Sequence, residues 1–351
     1  MMGTHDRRVD LRSDTVTTPT PEMRRAMADA EVGDDAYRED PTVRRLESLA
    51  AGLLGTEAAL YVPSGTMANQ LALRLLGRPG TEVLCGARAH VYRHEHAAAA
   101  GNARVQLRPL PDARGVLDPA DVRDAVAGQA HHLPEISALA IENTVMPASG
   151  RPWTTGEVAA VADVADANSL AIHCDGARIW NAAIALGVAP RELAARVDTV
   201  MFCLSKGLSA PVGSLLCGDQ DAIAQARVDR ARLGGGMRQA GVIAAAGVVA
   251  LETMVERLAD DHARASTLAS VLADRFPGSV DVSDVVTNIV CACADALPTA
   301  IVADLAARGV LCGTIDPHTV RFVTHKDVDD DDLGRACRAL DDIALAQEPS
   351  R

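Results

Sequence analysis

The sequence predicts an α/β protein, a mostly parallel sheet clothed by helices and followed by a smaller α/β unit. Short apolar runs alternate with helical segments between residues 58 and 217. The 351 residues suffice for a large domain plus a small one, and 48% of them are hydrophobic, as a sizeable core requires. Aromatic residues make up only 2%, so Ala, Leu, Val and Ile must fill that core, and Ala-rich helices are expected.

In chain order, a polar start leads into an irregular arm over Val9 to Thr18. The Thr18-Pro19-Thr20-Pro21 stretch then sets up a helix from Pro21 through Met27. Gly33-Asp34-Asp35 and Asp40-Pro41 interrupt before a helix over Thr42 to Leu54, with Val43, Leu46, Leu49 and Leu53 at helical spacing. Strands are expected at Ala58 to Val62, Glu82 to Cys85, Ala138 to Glu142, Leu170 to Cys174, Thr199 to Leu204 and Gly213 to Cys217. A long helix near Arg238 to Leu258 ends the large domain. Beyond it come a helix, strands around Val285 to Cys293 and Val320 to Thr324, and a last helix. The expected division is an arm over 1–25, a large domain over 26–255 and a small C-terminal domain over 256–351. The acidic run Asp327 to Asp332 reads as a solvated helix start favoured by the dipole.

A net charge of −13 argues against a nucleic-acid surface, which needs clustered Lys and Arg. No apolar run reaches the roughly 18 to 20 residues that span a bilayer, and the first ten residues lack a signal-peptide core. A soluble, cytoplasmic protein is expected, without nucleic-acid or membrane partners. Cys85, Cys174, Cys203, Cys217, Cys291, Cys293, Cys312 and Cys337 form no Cys-x-x-Cys pair, so they read as reduced, mostly buried thiols.

Three segments carry chemistry together. Ser205-Lys206-Gly207 follows an apolar strand, and a lysine between small residues at a strand end is free to form a Schiff base. Alone, it reads as a surface charge. Asp175-Gly176-Ala177-Arg178 also follows a strand; its carboxylate can pair with a protonated pyridine nitrogen, and its guanidinium offers a fork to a substrate carboxylate. Alone, these are a cap and a surface arginine. Ser64-Gly65-Thr66 opens a helix after a strand, where free N–H groups and the helix dipole favour a phosphate; alone, it is a helix cap. Gly234-Gly235-Gly236-Met237-Arg238 is a second glycine-rich turn whose arginine can reach a phosphate. The phosphate anchor, the carboxylate and the lysine all fall at ends of expected parallel strands, where open α/β sheets bind ligands.

These residues resemble a known family. Val9-Asp10-Leu11-Arg12-Ser13-Asp14-Thr15-Val16-Thr17, Val32-Gly33-Asp34-Asp35, Asp40-Pro41-Thr42, Pro63-Ser64-Gly65-Thr66, His173-Cys174-Asp175-Gly176-Ala177-Arg178, Leu204-Ser205-Lys206-Gly207 with Pro211-Val212-Gly213-Ser214, and Gly234-Gly235-Gly236-Met237-Arg238-Gln239 are similar, in order, to low-specificity L-threonine aldolases. A fainter match follows at Val320-Arg321-Phe322-Val323-Thr324-His325. The resemblance implies the fold type I, aspartate-aminotransferase-like architecture with a seven-stranded sheet, pyridoxal 5'-phosphate as cofactor, and a homotetramer or dimer of dimers with sites at subunit interfaces. It implies that Lys206 carries the cofactor and Asp175 pairs with its ring nitrogen. Ser64, Gly65 and Thr66 would hold the phosphate, with Arg238 reaching across from another subunit. Ser13, Arg178 and Arg321 would clamp the substrate carboxylate, and His90 would stack on the ring. The implied reaction splits L-threonine, L-allo-threonine or a related β-hydroxy-α-amino acid into glycine and an aldehyde, in threonine breakdown and glycine supply. Its rivals are β-elimination or transamination on the same scaffold, or a non-catalytic binder.

The chain departs from the family after Glu142-Asn143-Thr144, where Val145 to Gly150 replaces a His or Asn and a glycine-containing turn. The base for the β-hydroxyl is left open between His90, His131, His132 and a water. His90, His94 and His96 invite a metal reading, but no carboxylate or Cys pattern completes a site, and no metal is expected.

Overall fold

The structure, a computed structural model, describes residues 8–347. Twelve strands occur among these residues, β1 (Val9–Asp10), β2 (Ala58–Val62), β3 (Glu82–Gly86), β4 (Gln106–Leu110), β5 (Ile136–Glu142), β6 (Ala171–Asp175), β7 (Thr199–Cys203), β8 (Ser214–Gly218), β9 (Ile289–Cys293), β10 (Val310–Leu311), β11 (Gly313–Asp316) and β12 (Thr319–Val323). Seven of them form one sheet in the order β2-β8-β7-β6-β5-β3-β4. All seven positions of β5 are buried, as are all five of β3, β7 and β8. Helices cover both faces, which is why these strands read as continuous apolar runs rather than alternating ones.

Only β8 runs against its neighbours, pairing antiparallel with both β2 and β7. Its direction follows from the connection: ten residues, Leu204 to Gly213, separate it from β7, too few for the helical crossover a parallel strand needs. The edge strand β4 is the one member of this sheet that the sequence pattern misses. Its Gln106 and Pro109 are exposed, and proline is tolerated there because an edge leaves one row of N–H groups unpaired.

Three antiparallel strands, β11-β12-β9, form a second sheet, and β1 pairs with β10 in parallel. Where an irregular arm is expected, Val9 and Leu11 are therefore buried in a second core with Leu268, Leu272, Phe322 and Leu340. A two-residue strand carries no periodicity to read. The helix expected over 238–258 is shorter, Gly241–Thr253, and a separate helix runs over Leu258–Arg275. The last helix begins at Asp330 with Asp331 and Asp332 in its first turn, and Asp332 is buried rather than solvated. Among the described residues, no helix is long and apolar enough to cross a membrane.

Candidate active site

Strand register gathers the site. Val62 and Cys203, the last residues of β2 and β7, both face Ser214. Asp175 ends β6 between Glu142 of β5 and Met201 of β7. Residues just past these ends, Ser64 and Lys206, thus share one rim of the sheet with Asp175 and Glu142. Two adjoining cavities open there, of about 340 Å³ and 180 Å³, and both are lined by His90, Asp175, Ala177 and Lys206. Ser13, Arg178 and Arg321 line only the larger, while Ser64, Gly65 and Thr66 line only the smaller.

The smaller cavity opens at a helix start, a place suited to an anion. Ser64 caps the helix Gly65–Leu76 by accepting from Met67 N–H, and Ser64, Gly65 and Thr66 at this helix start line the space, where a dipole's positive end favours an anion. A Cβ at Gly65 would lie 2.9 Å from Cys203 Sγ and 3.0 Å from Met201 Cε, so any side chain there would push the cradle off the sheet.

Beneath the shared wall lies a buried polar network centred on Asn69. Its amide nitrogen donates to Glu95 at 2.7 Å and to Asp175 at 2.8 Å, and its oxygen lies 3.0 Å from His173 Nε2. With both Asn69 protons committed to carboxylates, its oxygen must accept, so His173 carries its proton on Nε2 and its Nδ1 accepts from Thr199 Oγ1 at 2.9 Å. Gln70 also donates to Glu95, and His90 Nδ1 lies 3.1 Å from it. Burial works against ionising Asp175, but the charges of His90 and Lys206 and the Asn69 bond outweigh it and hold its pKa low. Burial likewise opposes a charged His90, yet the Glu95 bond and the surrounding carboxylates raise its pKa. Glu142 accepts from the N–H groups of His90 and Met146; burial and the facing Asp175 charge push it up to about 7.

His173 is lowered to about 4 because burial disfavours its charged form. The folded state thus binds fewer protons than the unfolded state between about pH 6.5 and 4, and stability falls as pH drops through that window. His173→Gln, which keeps a donor and an acceptor, should remove on the order of 3 kcal/mol of that pH dependence. Urea midpoints measured at pH 7, 5.5 and 4 would check this, and parallel curves for the two proteins would refute it.

In the larger cavity, Arg178 is not free to present its whole fork. Its Nε and Nη2 donate to Asp14 at 2.7 and 2.6 Å, leaving the Nη1 side for a ligand. Arg321 Nη2 donates to Arg12 O at 2.9 Å, while its buried Nε has no partner, nor has the buried Thr144 Oγ1 on the same wall. Both residues line the cavity, where Arg321 carries the positive charge a carboxylate would pair with.

His131 and His132 line neither cavity; they sit in an exposed turn before β5, and a seven-residue strand sets them about 20 Å from its Glu142 end. His94 lines the larger cavity instead, but the helix from His90 stops at Arg93 and His96 has φ 53°, so the three histidines share no helix face. Arg238 lines neither cavity; its side chain is 69% exposed and 3.7 Å from Asp34. The Val145 to Gly150 segment sends Met146 into the larger cavity. Nothing in the local sequence marks Asp14, Asn69, Glu95 and Glu142 as buried, because a polar residue in a turn or bend, inside a helix or at a strand end looks the same whether buried or solvated. Among the described residues, one group of three possible metal ligands comes together, His90, Glu95 and Asp175, whose atoms lie within 4.8 Å of one another and already bond within the Asn69 network.

An anion seat, a buried ionised carboxylate and a lysine around one cleft fit pyridoxal phosphate in phosphate, ring nitrogen and aldehyde. Fold and site thus define a class, the pyridoxal-phosphate-dependent lyases on an aminotransferase-like α/β scaffold. Residues 10–295 match the family model of the β-eliminating lyases. The chain is 37% identical to low-specificity L-threonine aldolase 1 of Arabidopsis thaliana, over 98% of this chain and 99% of that one. It is 39% identical to the low specificity L-threonine aldolase of Escherichia coli K12, over 93% and 96% respectively. In fold it is similar to a threonine aldolase of Leishmania major, with a TM-score of 0.83 at 19% identity, covering 96% of this chain and 99% of that one. The chain belongs to the β-eliminating lyase family, among its low-specificity L-threonine aldolases.

Proposed function

We propose that this protein cleaves L-threonine, L-allo-threonine or a related β-hydroxy-α-amino acid to glycine and an aldehyde. The observation that carries this reading is the pair of cavities walled in common by Lys206 and Asp175, one suited to a phosphate and the other to an amino acid. When bound, pyridoxal phosphate supplies a ring that takes up the electron pair released at the substrate α-carbon. Ser64, Gly65 and Thr66 seat its phosphate, Lys206 Nζ holds its aldehyde carbon, and Asp175 keeps a proton on its ring nitrogen. Ser13, Arg178 and Arg321 grip the substrate carboxylate and fix which α-carbon bond is presented for cleavage. With Nδ1 engaged by Glu95, His90 has Nε2 to take the β-hydroxyl proton, directly or through a water.

The test is product analysis. Purified protein given threonine should release glycine and acetaldehyde in equal amounts, at rates at least about tenfold above any ammonia and keto acid. Ammonia and keto acid as main products would make it an eliminating enzyme instead. We also propose a homotetramer or dimer of dimers, working in the cytoplasm in threonine breakdown and glycine supply, with Arg238 serving a neighbouring subunit's phosphate seat. Its exposure away from both cavities supports this assignment; sedimentation as a monomer would contradict it.

A further inference from the structure

Segment 9–17 touches the groups that surround the substrate half of the cleft. It is pinned first: Leu11 N–H donates to Leu311 O at 2.7 Å, and Leu11 O accepts from Val323 N–H at 2.8 Å. From that fixed strand, Arg12 O holds Arg321, Ser13 and Thr15 line the larger cavity, and Thr17 Oγ1 reaches Lys206 O at 3.1 Å. Asp14 points the other way. It is fully buried, does not line the cavity, takes the Nε and Nη2 donors of Arg178, and accepts from Asn288 Nδ2 at 3.3 Å.

We propose that Asp14 is a positioning residue for the substrate carboxylate, holding Arg178 toward the cavity and letting two guanidiniums share one space. Two cations against one carboxylate leave a single positive charge, which one α-carboxylate neutralises. The two cations repel: burial, then the charge of Arg178, lowers the pKa of the Arg321 guanidinium, while Asp14 opposes the shift. Asp14 itself is held at about 2, since Arg178 outweighs its burial. The buried pair joins the N-terminal segment to the large sheet, and Asn288 adds the strand β9 side. The carboxylate grip is thereby set where three parts of the chain meet. This inference rests on the amino-acid reading above.

Equilibrium binding to the cofactor-loaded enzyme tests it, with glycine and glycinamide as ligands and the absorbance of the bound cofactor as readout. Asp14→Asn should raise the glycine Kd about tenfold or more while moving the glycinamide Kd by less than about threefold, because glycinamide has no carboxylate to grip. Equal shifts for both ligands, or none, would overturn the proposal. If Asp14→Asn fails to fold, Asn288→Ala decides: it leaves the Asp14–Arg178 pair and removes one support, so a selective glycine loss of about threefold is expected, and an unselective or absent loss overturns it. A wild-type enzyme that binds neither ligand would refute the amino-acid reading itself.

Discussion

Lys206→Ala is expected to give a folded protein that retains pyridoxal phosphate weakly, forms no borohydride-reducible bond to it, and loses at least about 1,000-fold in aldolase turnover. The side chain sits in the β7–β8 connection, whose ends are fixed by Leu204 N–H bonding Gly213 O at 3.0 Å and Ser209 N–H bonding Lys206 O at 2.8 Å. No other lysine lines either cavity, so no neighbouring amine can take over the linkage. Peptide mapping after borohydride reduction would show the label on Lys206 in the wild type; a label elsewhere, or full turnover in the variant, would remove the basis for the assignment.

Asp175→Asn is expected to keep the cofactor bound yet lower kcat by about 100- to 10,000-fold. The substitution preserves shape, so its effect is one of charge. A neutral amide cannot hold a proton on the ring nitrogen, and an unprotonated ring is a poorer electron sink. The surroundings make the loss hard to relieve, because one Asp175 oxygen accepts from Asn69, which His173 and Glu95 orient to donate, and the other from Ala177 N–H at 3.1 Å, so the introduced amide nitrogen must face one of these donors. Absorbance spectra across pH would show the altered ring protonation; a variant with wild-type kcat would disprove the pairing.

The residues that proved legible in the sequence are those whose neighbours along the chain announce them. Lys206, Asp175 and Ser64 each follow an apolar run, and the run locates the strand whose end they occupy. Asp14 and Asn69 have no such herald. Asp14 is flanked by polar residues in a short 3-10 turn, and Asn69 lies inside a helix; both owe their burial to partners more than 100 residues away, Asn69 to Asp175 and Asp14 to Arg178. The same reasoning accounts for β1 and β4, one too short for a period and the other polar because it stands at an edge. Sequence spacing reports local periodicity well, but long-range pairing only when it leaves a trace in local composition.

Strand β8 gives the cleft a built-in ruler. Because it lies between β2 and β7, the strand ends that lead to Ser64 and to Lys206 are held two interstrand spacings apart, about 10 Å. Backbone geometry sets that span, so drift in surface helices cannot stretch it. The opposite wall is set by other means: the 145–150 turn and β11 bring Met146, Thr314 and Ile315 to the larger cavity, and changes there reshape what enters while the rim keeps its span.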